Sequence, residues 1–562
     1  MHSMRHGTAP GRVPVRERIL LALAAASALL MEPQQVEGQF LFTSGKFDRS
    51  LDVNRIWMAL SRNGNLARSQ ASYQASAWYE SSAGIYNPDE IVFDAGLWVT
   101  GLLNGRVGVL PTLWRSPFSP GPIIGGQPAL TAHPEDSLRY RVYRVTIGDT
   151  PSENTDMSEW PNDLGAPIDG SGQPAVSADQ TLWCVYNGLD STRVPVWFRR
   201  NLGPMPQMPV EIHQKAFAHY GGPGDTSVWA NTLFFEWKIF NRGSVRLDSV
   251  YFSYWTDIDF LGAFYTIPAV DTARQIGYCW YGPDSTREAV GYILLYGPQV
   301  PSAGQTATAF GGLRYGQRNL PLTAFHGIVD DSTPDSAKLG PPYSVATSWN
   351  VVRGLTPAGT PILDTLTGRT TTFPWSGDPL THQGMLFPYR WTGGGGGFMI
   401  TSGPVTMSPG DSQWVMIALL ATARVNGTDA ITLMRQEAAT LRSLPYDSLI
   451  ARKPRRPGGE WPLRGFDLPT GYDLLPPYPN PFNAGTTVPF VLPHDCRVII
   501  TAYDILGRQV GVLTDGLYQQ GARSVRWNPT LASGLYIIRV KADPLDTRHG
   551  GFSGSRSVLL VR

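Results

Sequence analysis

Through the middle of this chain, apolar side chains recur at every second position, and polar or aromatic side chains lie between them. The segment Thr232–Asn241 (TLFFEWKIFN) places four apolar side chains on one face, namely Leu233, Phe235, Trp237 and Ile239. Phenylalanines share the opposite face with Glu236 and Lys238, so the pattern predicts a central strand with one face fully buried. After a turn at Arg242–Ser244, we expect Leu247–Thr256 to return as the antiparallel partner of this strand in a hairpin.

Further strands are predicted at Val92–Gly101, Phe398–Ser402 and Ser412–Ala421. One clear helix is predicted late in the chain, where Thr428 or Asp429 can cap it and Pro445 ends it. Its apolar stripe consists of Ile431, Met434, Ala438, Leu441 and Leu444. A helix docked on a β-core explains this stripe most simply, and a partner-binding helix is the alternative.

These patterns predict an all-β fold, with a large β-sandwich-type body of one or two units and one late helix. The 60 glycines and 47 prolines agree with this fold, because short strands need many turns. A chain of 562 residues suffices for about two to four structural units. The net charge of +1 implies no general attraction to nucleic acid, so none is expected as a partner. Cys184, Cys279 and Cys496 are either buried apolar thiols or include a Cys184–Cys279 pair.

A secretory signal peptide is predicted at residues 1–38. Arg12, Arg16 and Arg18 precede the apolar run Ile19–Met31, which is too short to span a hydrocarbon core of ~30 Å comfortably. Val36–Gly38 then supplies compact residues for cleavage before Gln39. An uncleaved membrane anchor is the alternative. No later stretch is long and apolar enough to cross a membrane as a helix, so the mature chain is expected to contain no transmembrane helix.

The last part of the chain, residues 474–562, has the pattern of a second β unit. Arg497–Ile505 alternates, and further strands are expected at Leu535–Val540 and Ser557–Val561. About seven short strands in this length are typical of a small immunoglobulin-like sandwich. The preceding residues 451–473 begin with ARKPRRPGGE, a basic run rich in Pro and Gly that is typical of an extended linker. The predicted domains are therefore a signal peptide (1–38), a β-rich body (39–450), the linker (451–473) and the C-terminal domain (474–562).

Motif residues follow one another in a defined order along this C-terminal domain. A YPNPFN motif opens it, followed by Gly507 in YDILGR, by Gly521 and Trp527, and by Gly534 and Tyr536 in SGLYIIR. The opening motif consists of Tyr478, Pro479, Asn480, Pro481, Phe482 and Asn483. This order resembles the type A sorting domains of bacterial type IX secretion cargo. The resemblance implies a translocon and sorting machinery as partners, and release from the cell or attachment to lipopolysaccharide. A plain immunoglobulin-like domain with no sorting role is the alternative.

The body also resembles other cargo of the same secretion route. The resemblance rests on AGLWVTG, WPNDLGAP, DQTLWCVYN, DSVYFSYWTDID and SGPVTMSPGDSQ, at Ala95–Gly101, Trp160–Pro167, Asp179–Asn187, Asp248–Asp259 and Ser402–Gln413. This resemblance implies export by the same route and suggests no particular activity for the body.

No cofactor is certain from the sequence, and Ca²⁺ is the one candidate. Asp257 and Asp259 alternate at the end of a predicted strand, with Asp271 further on, and carboxylate oxygens suit Ca²⁺. Asp169, in the sequence DGSG, has Asp179 nearby, but the full DxDxDG ligand series is missing. Carboxylates that are merely solvated in turns are the alternative at both places.

No catalytic motif is legible, since HExxH, CxxC and GxSxG are all absent. His213 and His219 are six residues apart, which is not a metal-ligand spacing, and we expect them in a surface loop. The sequence therefore favours a non-enzymatic protein, extracellular or attached to the outer-membrane surface, that contacts surface glycans, matrix or other cells. A secreted hydrolase of polysaccharide or protein is one alternative, and a subunit of an extracellular assembly is another.

Overall fold

The structure is a computed structural model that describes most of the body and the C-terminal domain. It describes residues 47–67, 77–79, 89–112, 117–190, 206–222, 225–258, 266–282, 284–329, 344–387, 396–453, 472–474, 477, 480–483, 485–493, 496–518, 521–545 and 550–561. The predicted signal peptide and most of the predicted linker lie outside these ranges.

The body is built mainly of strands. They are β1 (Arg49–Leu51), β2 (Ile56–Leu60), β3 (Asn65–Leu66), β4 (Ala77–Tyr79), β5 (Asp89–Val92), β6 (Asp94–Leu103), β7 (Arg106–Leu110), β8 (Ser119–Pro120), β9 (Ile123–Ile124), β10 (Gln127–Pro128), β11 (Tyr143–Thr146), β12 (Gln180–Asn187), β13 (Val210–Ala218), β14 (Thr232–Asn241), β15 (Leu247–Ile258), β16 (Thr266–Asp271), β17 (Ile276–Tyr281), β18 (Glu288–Tyr296), β19 (Gln299–Ala309), β20 (Gly312–Asn319), β21 (Ala324–Val329), β22 (Ile362–Leu363), β23 (Thr370–Thr371), β24 (Gly396–Met407) and β25 (Ser412–Ala423).

Two large sheets organise these strands within the described residues. One sheet has the order β21-β24-β15-β6-β3-β2-β4-β5, with β1 and β7 added at β2 and β6. The other has the order β11-β12-β13-β14-β25-β18-β17-β16, with β8 added at β12. Apolar side chains of both sheets, such as Leu97, Phe252, Phe235 and Ile417, belong to one buried cluster. The sheets therefore stack as a sandwich, as the sequence predicted.

Strand β14 lies at the centre of its sheet, between β13 and β25. Its bounds agree with the predicted strand, and Leu233, Phe235 and Trp237 are fully buried. Phe234, on the opposite face, is also buried, and it belongs to a second apolar cluster under the late helix. Both faces of this strand are therefore covered.

The predicted hairpin between this strand and the next one is wrong. Strand β15 does not pair with β14 but with β24 and β6, in the opposite sheet. The two edges of β14 are already occupied by β13 and β25, so the turn at Arg242–Arg246 carries the chain from one layer of the sandwich to the other.

Short helices cover the outer faces of the sandwich. They are α1 (Ala129–Ala132), α2 (Thr155–Ser158), α3 (Val345–Val352), α4 (Ala430–Ser443) and α5 (Tyr446–Ile450), with 3-10 turns at Pro134–Leu138, Asn162–Leu164 and Val228–Asn231. None of the helices in the described ranges has the length and apolarity that a membrane-spanning helix needs.

Helix α4 is the helix that the apolar stripe predicted. Asp429 caps it by accepting a hydrogen bond from the backbone N–H of Thr432 at 2.7 Å. Ile431, Met434 and Leu441 are buried against the sheet that contains β18 and β25, so the docked-helix interpretation is confirmed. Helix α3, which the sequence analysis did not predict, starts at a capping box between Ser344 and Thr347 and covers the other sheet.

The C-terminal domain forms two further sheets. Its strands are β26 (Asp473–Leu474), β27 (Thr486–Leu492), β28 (Cys496–Asp504), β29 (Gln509–Tyr518), β30 (Gly521–Trp527), β31 (Gly534–Pro544) and β32 (Phe552–Leu560). The described strands are ordered β26-β27-β30 in one sheet and β29-β28-β31-β32 in the other. Apolar residues of both sheets, such as Phe490 and Ile538, share one separate core. We call residues 472–561 the C-terminal module.

Candidate functional site

The YPNPFN motif and the last strand of the C-terminal module hold each other through hydrogen bonds. The Phe482 backbone N–H donates to the Leu559 carbonyl at 2.9 Å, and the Val561 N–H donates to the Phe482 carbonyl at 2.8 Å. Asn480 adds a side-chain clamp, since its amide donates to the Ser557 carbonyl and its carbonyl accepts from the Leu559 N–H at 2.8 Å. The two ends of the motif series, far apart in sequence, therefore meet in space.

Aromatic motif residues form the core beside this clamp. The ring centroids of Phe482 and Trp527 are 5.7 Å apart, and those of Trp527 and Tyr536 are 5.6 Å apart in an edge-on arrangement. The Tyr536 hydroxyl donates to the Ala532 carbonyl at 2.7 Å. These three side chains are at most 8% exposed, so the motif spacing brings its large residues into a single buried cluster.

Other motif residues shape turns and strand ends. Gly507 has a φ of 76°, a left-handed conformation that favours glycine, in the turn between β28 and β29. Asp504 closes that turn by accepting hydrogen bonds from the Arg508 and Leu506 N–H groups. The bond from the Arg508 N–H is the main reason why the pKa of Asp504 is lowered. Gly521 and Gly534 begin β30 and β31. Pro481 and Asn483 are exposed, and Tyr478 and Pro479 lie outside the described residues.

Two residues of the first candidate calcium group, Asp257 and Asp271, lie in different sheets. Asp257 lies near the end of β15, directly opposite Asp94 of β6 in the strand register. Asp271 lies in the other sheet, at the end of β16, where it forms an ion pair with Arg274 at 2.6 Å. Asp259 lies outside the described residues. Asp94 was missed by the sequence analysis because its partner is more than a hundred residues away.

In the second candidate calcium group, Asp169 and Asp179 each accept hydrogen bonds from protein donors. Asp169 is exposed and accepts hydrogen bonds from the Ser171 hydroxyl and N–H and from the Gln173 N–H, which lower its pKa. Asp179 is buried and accepts from the Tyr220 N–H and from Arg452. Among the described residues, no group of three or more His, Cys, Asp or Glu side chains is placed to hold a metal ion.

The histidines and cysteines are interior residues. His213 lies within β13 and His219 directly after it, and both are buried, so their predicted surface-loop position is wrong. The alternation of β13 places His213 among aromatic rings. The centroid of its ring lies 5.6 Å from that of Trp183 and 4.9 Å from that of Phe240. The three cysteines are buried and free, which agrees with the apolar interpretation.

One polar cluster that the sequence analysis missed is centred on Glu211. Its carboxylate accepts hydrogen bonds from the Ile123 N–H at 2.8 Å and from Arg242 at 2.7 Å, and lies 3.1 Å from His213 Nε2. Burial alone would raise the pKa of Glu211, but the hydrogen bonds with His213, Ile123 and Arg242 lower it to about 2. The Gly165 backbone packs against the His213 ring so closely that a Cβ at this position would clash with it. This cluster ties β13 to its neighbours.

A second missed cluster joins the late helices to the central strand. Lys215 and Glu236 form a buried ion pair at 2.8 Å, and the Tyr446 hydroxyl donates to Glu236 at 3.0 Å. Trp414 Nε1 donates to the other carboxylate oxygen at 3.2 Å. Burial and the Glu236 carboxylate raise the pKa of Tyr446, which therefore remains protonated and keeps donating. Helix α5 is thus anchored to β14 by a charged pair beneath it.

A third missed cluster contains Glu437, on the inner side of helix α4. Arg55 donates to the Asn231 side chain at 3.0 Å, and the Tyr79 hydroxyl donates to the same oxygen at 3.2 Å. Glu437 Oε2 is buried and has no hydrogen-bond partner among the described residues. Burial raises the pKa of Glu437 to about 7, and Arg55 and Asn231 act against that shift. This carboxyl is therefore sensitive to pH near neutrality.

Comparison with known proteins identifies no family for this chain. No protein-family model matches it, and no curated protein sequence is significantly similar to it. Among solved structures, it resembles a polysaccharide lyase with a TM-score of 0.23 and 8% sequence identity, over 91% of this chain and 47% of that chain. The chain thus spans about half the length of that lyase. A likeness this weak carries no argument about activity.

Proposed function

We propose that this chain is an exported protein, extracellular or attached to the outer-membrane surface, whose C-terminal module is the sorting domain of the type IX secretion route. The observation that carries the proposal is the clamp between the YPNPFN motif and the last strand. Asn480 and Phe482 contribute hydrogen bonds, and Phe482 and Trp527 contribute packing, so residues spread over the module define one local structure. A translocon that recognises folded shape could read this structure as a unit.

The body is proposed to make non-enzymatic contacts with glycans or matrix once it has reached the surface. Its described polar clusters support this role, because Glu211, Glu236 and Asp179 are buried and bound to internal donors. Groups held in this way anchor strands and helices to one another.

The export proposal is tested in a bacterium that possesses the type IX route. A chain lacking residues 478–562 is expected to accumulate in the periplasm, whereas the complete chain reaches the surface or the medium. Cell fractionation and surface labelling measure the distribution. Limited proteolysis of the periplasmic material checks that the truncated body is folded. Normal surface display of the truncated chain would contradict the sorting role.

A point variant sharpens this test. Phe482→Ala removes the buried ring that connects the motif to Trp527, and it leaves the length of the chain unchanged. We expect reduced surface display together with periplasmic accumulation. Leu545→Ala, at an exposed position of the same module, is the matched control and should be exported normally. Equal export of both variants would argue against recognition of the clamp.

A further inference from the structure

Strands β19 and β20 form a two-stranded ribbon that lies apart from the large sheets. Within the described residues they pair only with each other. The first strand is fixed to the body, since Gln299 donates to the Trp414 carbonyl at 2.6 Å and Ala307 and Ala309 are fully buried. The second strand is exposed along nearly its whole length. An isolated ribbon is only marginally stable, so these anchors at the first strand hold the second in place.

The exposed strand carries unusual side chains for a solvated surface. Tyr315 is 80% exposed and Leu313 is 61% exposed, and they share one face of the strand. Arg314 and Arg318 are exposed in the same strand. Neither arginine forms an ion pair with any residue that the structure describes, and the Arg314 guanidinium carbon lies 5.6 Å from the centroid of the Phe310 ring.

The charged side chains of this ribbon are all positive. No Asp or Glu occurs anywhere between Glu288 and Asp330, so nothing in the ribbon offsets the two arginines. The whole chain has a net charge of only +1, which makes this strand a local exception and not part of a general basic surface. Two guanidinium groups that have no ion-pair partner in the described part of the chain attract oxyanions, which they can bind with two parallel hydrogen bonds each.

We propose that strand β20 is a binding site for an acidic polysaccharide that carries carboxylate or sulfate groups. Arg314 and Arg318 bind successive anionic groups, and Tyr315 stacks on the apolar face of a sugar ring. Thr306, paired with Tyr315 in the register, and Gln317 supply neutral groups that can bind sugar hydroxyls. A nucleic acid fits less well, because two cations neutralise few phosphates. The inference deepens the proposed glycan contact and rests on it.

The experiment measures binding of the purified full chain to polygalacturonate by isothermal titration calorimetry at low salt. The double variant R314E/R318E is expected to bind about tenfold more weakly or worse, because each lost charge-assisted contact removes a large part of the affinity. Y315A should weaken binding severalfold without changing its salt dependence. R369E, at an exposed arginine outside the ribbon, carries the same charge change as R318E and should bind like the wild type.

Further probes distinguish the chemical class of the partner. A sulfated glucan should bind in the same arginine-dependent way, and neutral dextran should not. Equal or tighter binding of single-stranded DNA would overturn the polysaccharide assignment. If polygalacturonate binds but R314E/R318E has no effect, the site lies elsewhere, so this inference fails while the proposed glycan contact stands. If the wild type binds no glycan of any kind, both fail.

Discussion

The body and the C-terminal module bury their apolar residues in different ways. The central strands of the two large sheets of the body are covered on both faces, by the opposite sheet on one side and by helices or loops on the other. Strand β25 illustrates this, since its residues from Trp414 to Leu420 are all buried. In the module, strand β31 alternates strictly, with Tyr536, Ile538 and Val540 buried and Leu535 and Ile537 exposed.

This difference has consequences for stability and for recognition. A body of several apolar layers distributes its stabilisation over many contacts and hides its polar clusters inside. The module has a single core and leaves apolar side chains in solvent, among them Leu535 at 47% and Leu559 at 39% exposure. Exposed apolar groups on a small unit are typical of surfaces that meet a partner. We therefore expect the two regions to respond to substitutions independently.

The largest expected effect is a substitution in the core of the body. Trp237→Ala removes a fully buried ring whose Nε1 donates to Gln214 at 2.9 Å. The free energy of unfolding of the body should fall by about 4 kcal/mol, because the cavity cannot close and Gln214 loses one of its two donors, keeping the Tyr186 hydroxyl. In differential scanning calorimetry of the full chain, the transition of the body should move down in temperature and the transition of the C-terminal module should stay unchanged. Leu535→Ala is the control and should move neither by much. A joint shift of both transitions would mean that the two regions unfold as one unit.

The second largest expected effect is a pH dependence of the free energy of unfolding, caused by Glu437 on helix α4. The pKa of Glu437 is raised to about 7, whereas the unfolded carboxyl titrates near its ordinary value of about 4.3. The native chain therefore binds more protons between these values, so this group stabilises the fold at low pH, and that contribution is lost as pH rises through about 7. The loss amounts to at most about 4 kcal/mol. Glu437→Gln should be more stable than the wild type at pH 8 and no more stable at pH 4.

Urea denaturation across this pH range measures the difference between variant and wild type. His219 must be considered, because burial lowers its pKa to about 4 and its contribution is lost in the opposite direction, as pH falls. It is present in both proteins and cancels in their difference. Glu153→Gln, at an exposed carboxyl, should show no such dependence. If the stability difference between Glu437→Gln and the wild type does not vary with pH, burial does not hold Glu437 neutral.

Local patterns predicted the elements of this fold well. The bounds of β14, the cap and stripe of α4 and the alternation of β28 all follow from spacing within about a dozen residues. Such patterns contain no information about which strands become neighbours. The turn after Asn241 could lead to a hairpin or to the opposite sheet, and only the occupied edges of β14 decide between them.

The polar clusters were missed for a related reason. The Tyr446 hydroxyl and Glu236 are 210 positions apart, and Arg55 and Asn231 are 176 apart. Each residue looked ordinary within its own segment. His213 and His219 were misjudged because their spacing was tested for metal binding and not for strand alternation. The motif residues of the module were found from their order along the chain and not from any local pattern.

The smallest expected effect tests the clamp in the module. Asn480→Ala removes the hydrogen bonds to the Ser557 carbonyl and the Leu559 N–H at an exposed position. We expect the free energy of unfolding of the module to fall by about 1 kcal/mol, since solvent can replace both partners. The body transition should not change. Hydrogen exchange should show faster exchange of the Leu559 amide, while amides inside β28 keep their protection.

Asn483→Ala is the matched control for this clamp, because Asn483 is an exposed asparagine of the same motif. It should leave the exchange of the Leu559 amide unchanged. If Asn480→Ala also leaves that amide protected, the pairing with β31 and the Phe482 backbone hold the last strand without the Asn480 side chain. Contacts outside the module would then be the better explanation for Asn480 in this motif. That result would favour recognition of Asn480 by a partner over a purely structural clamp.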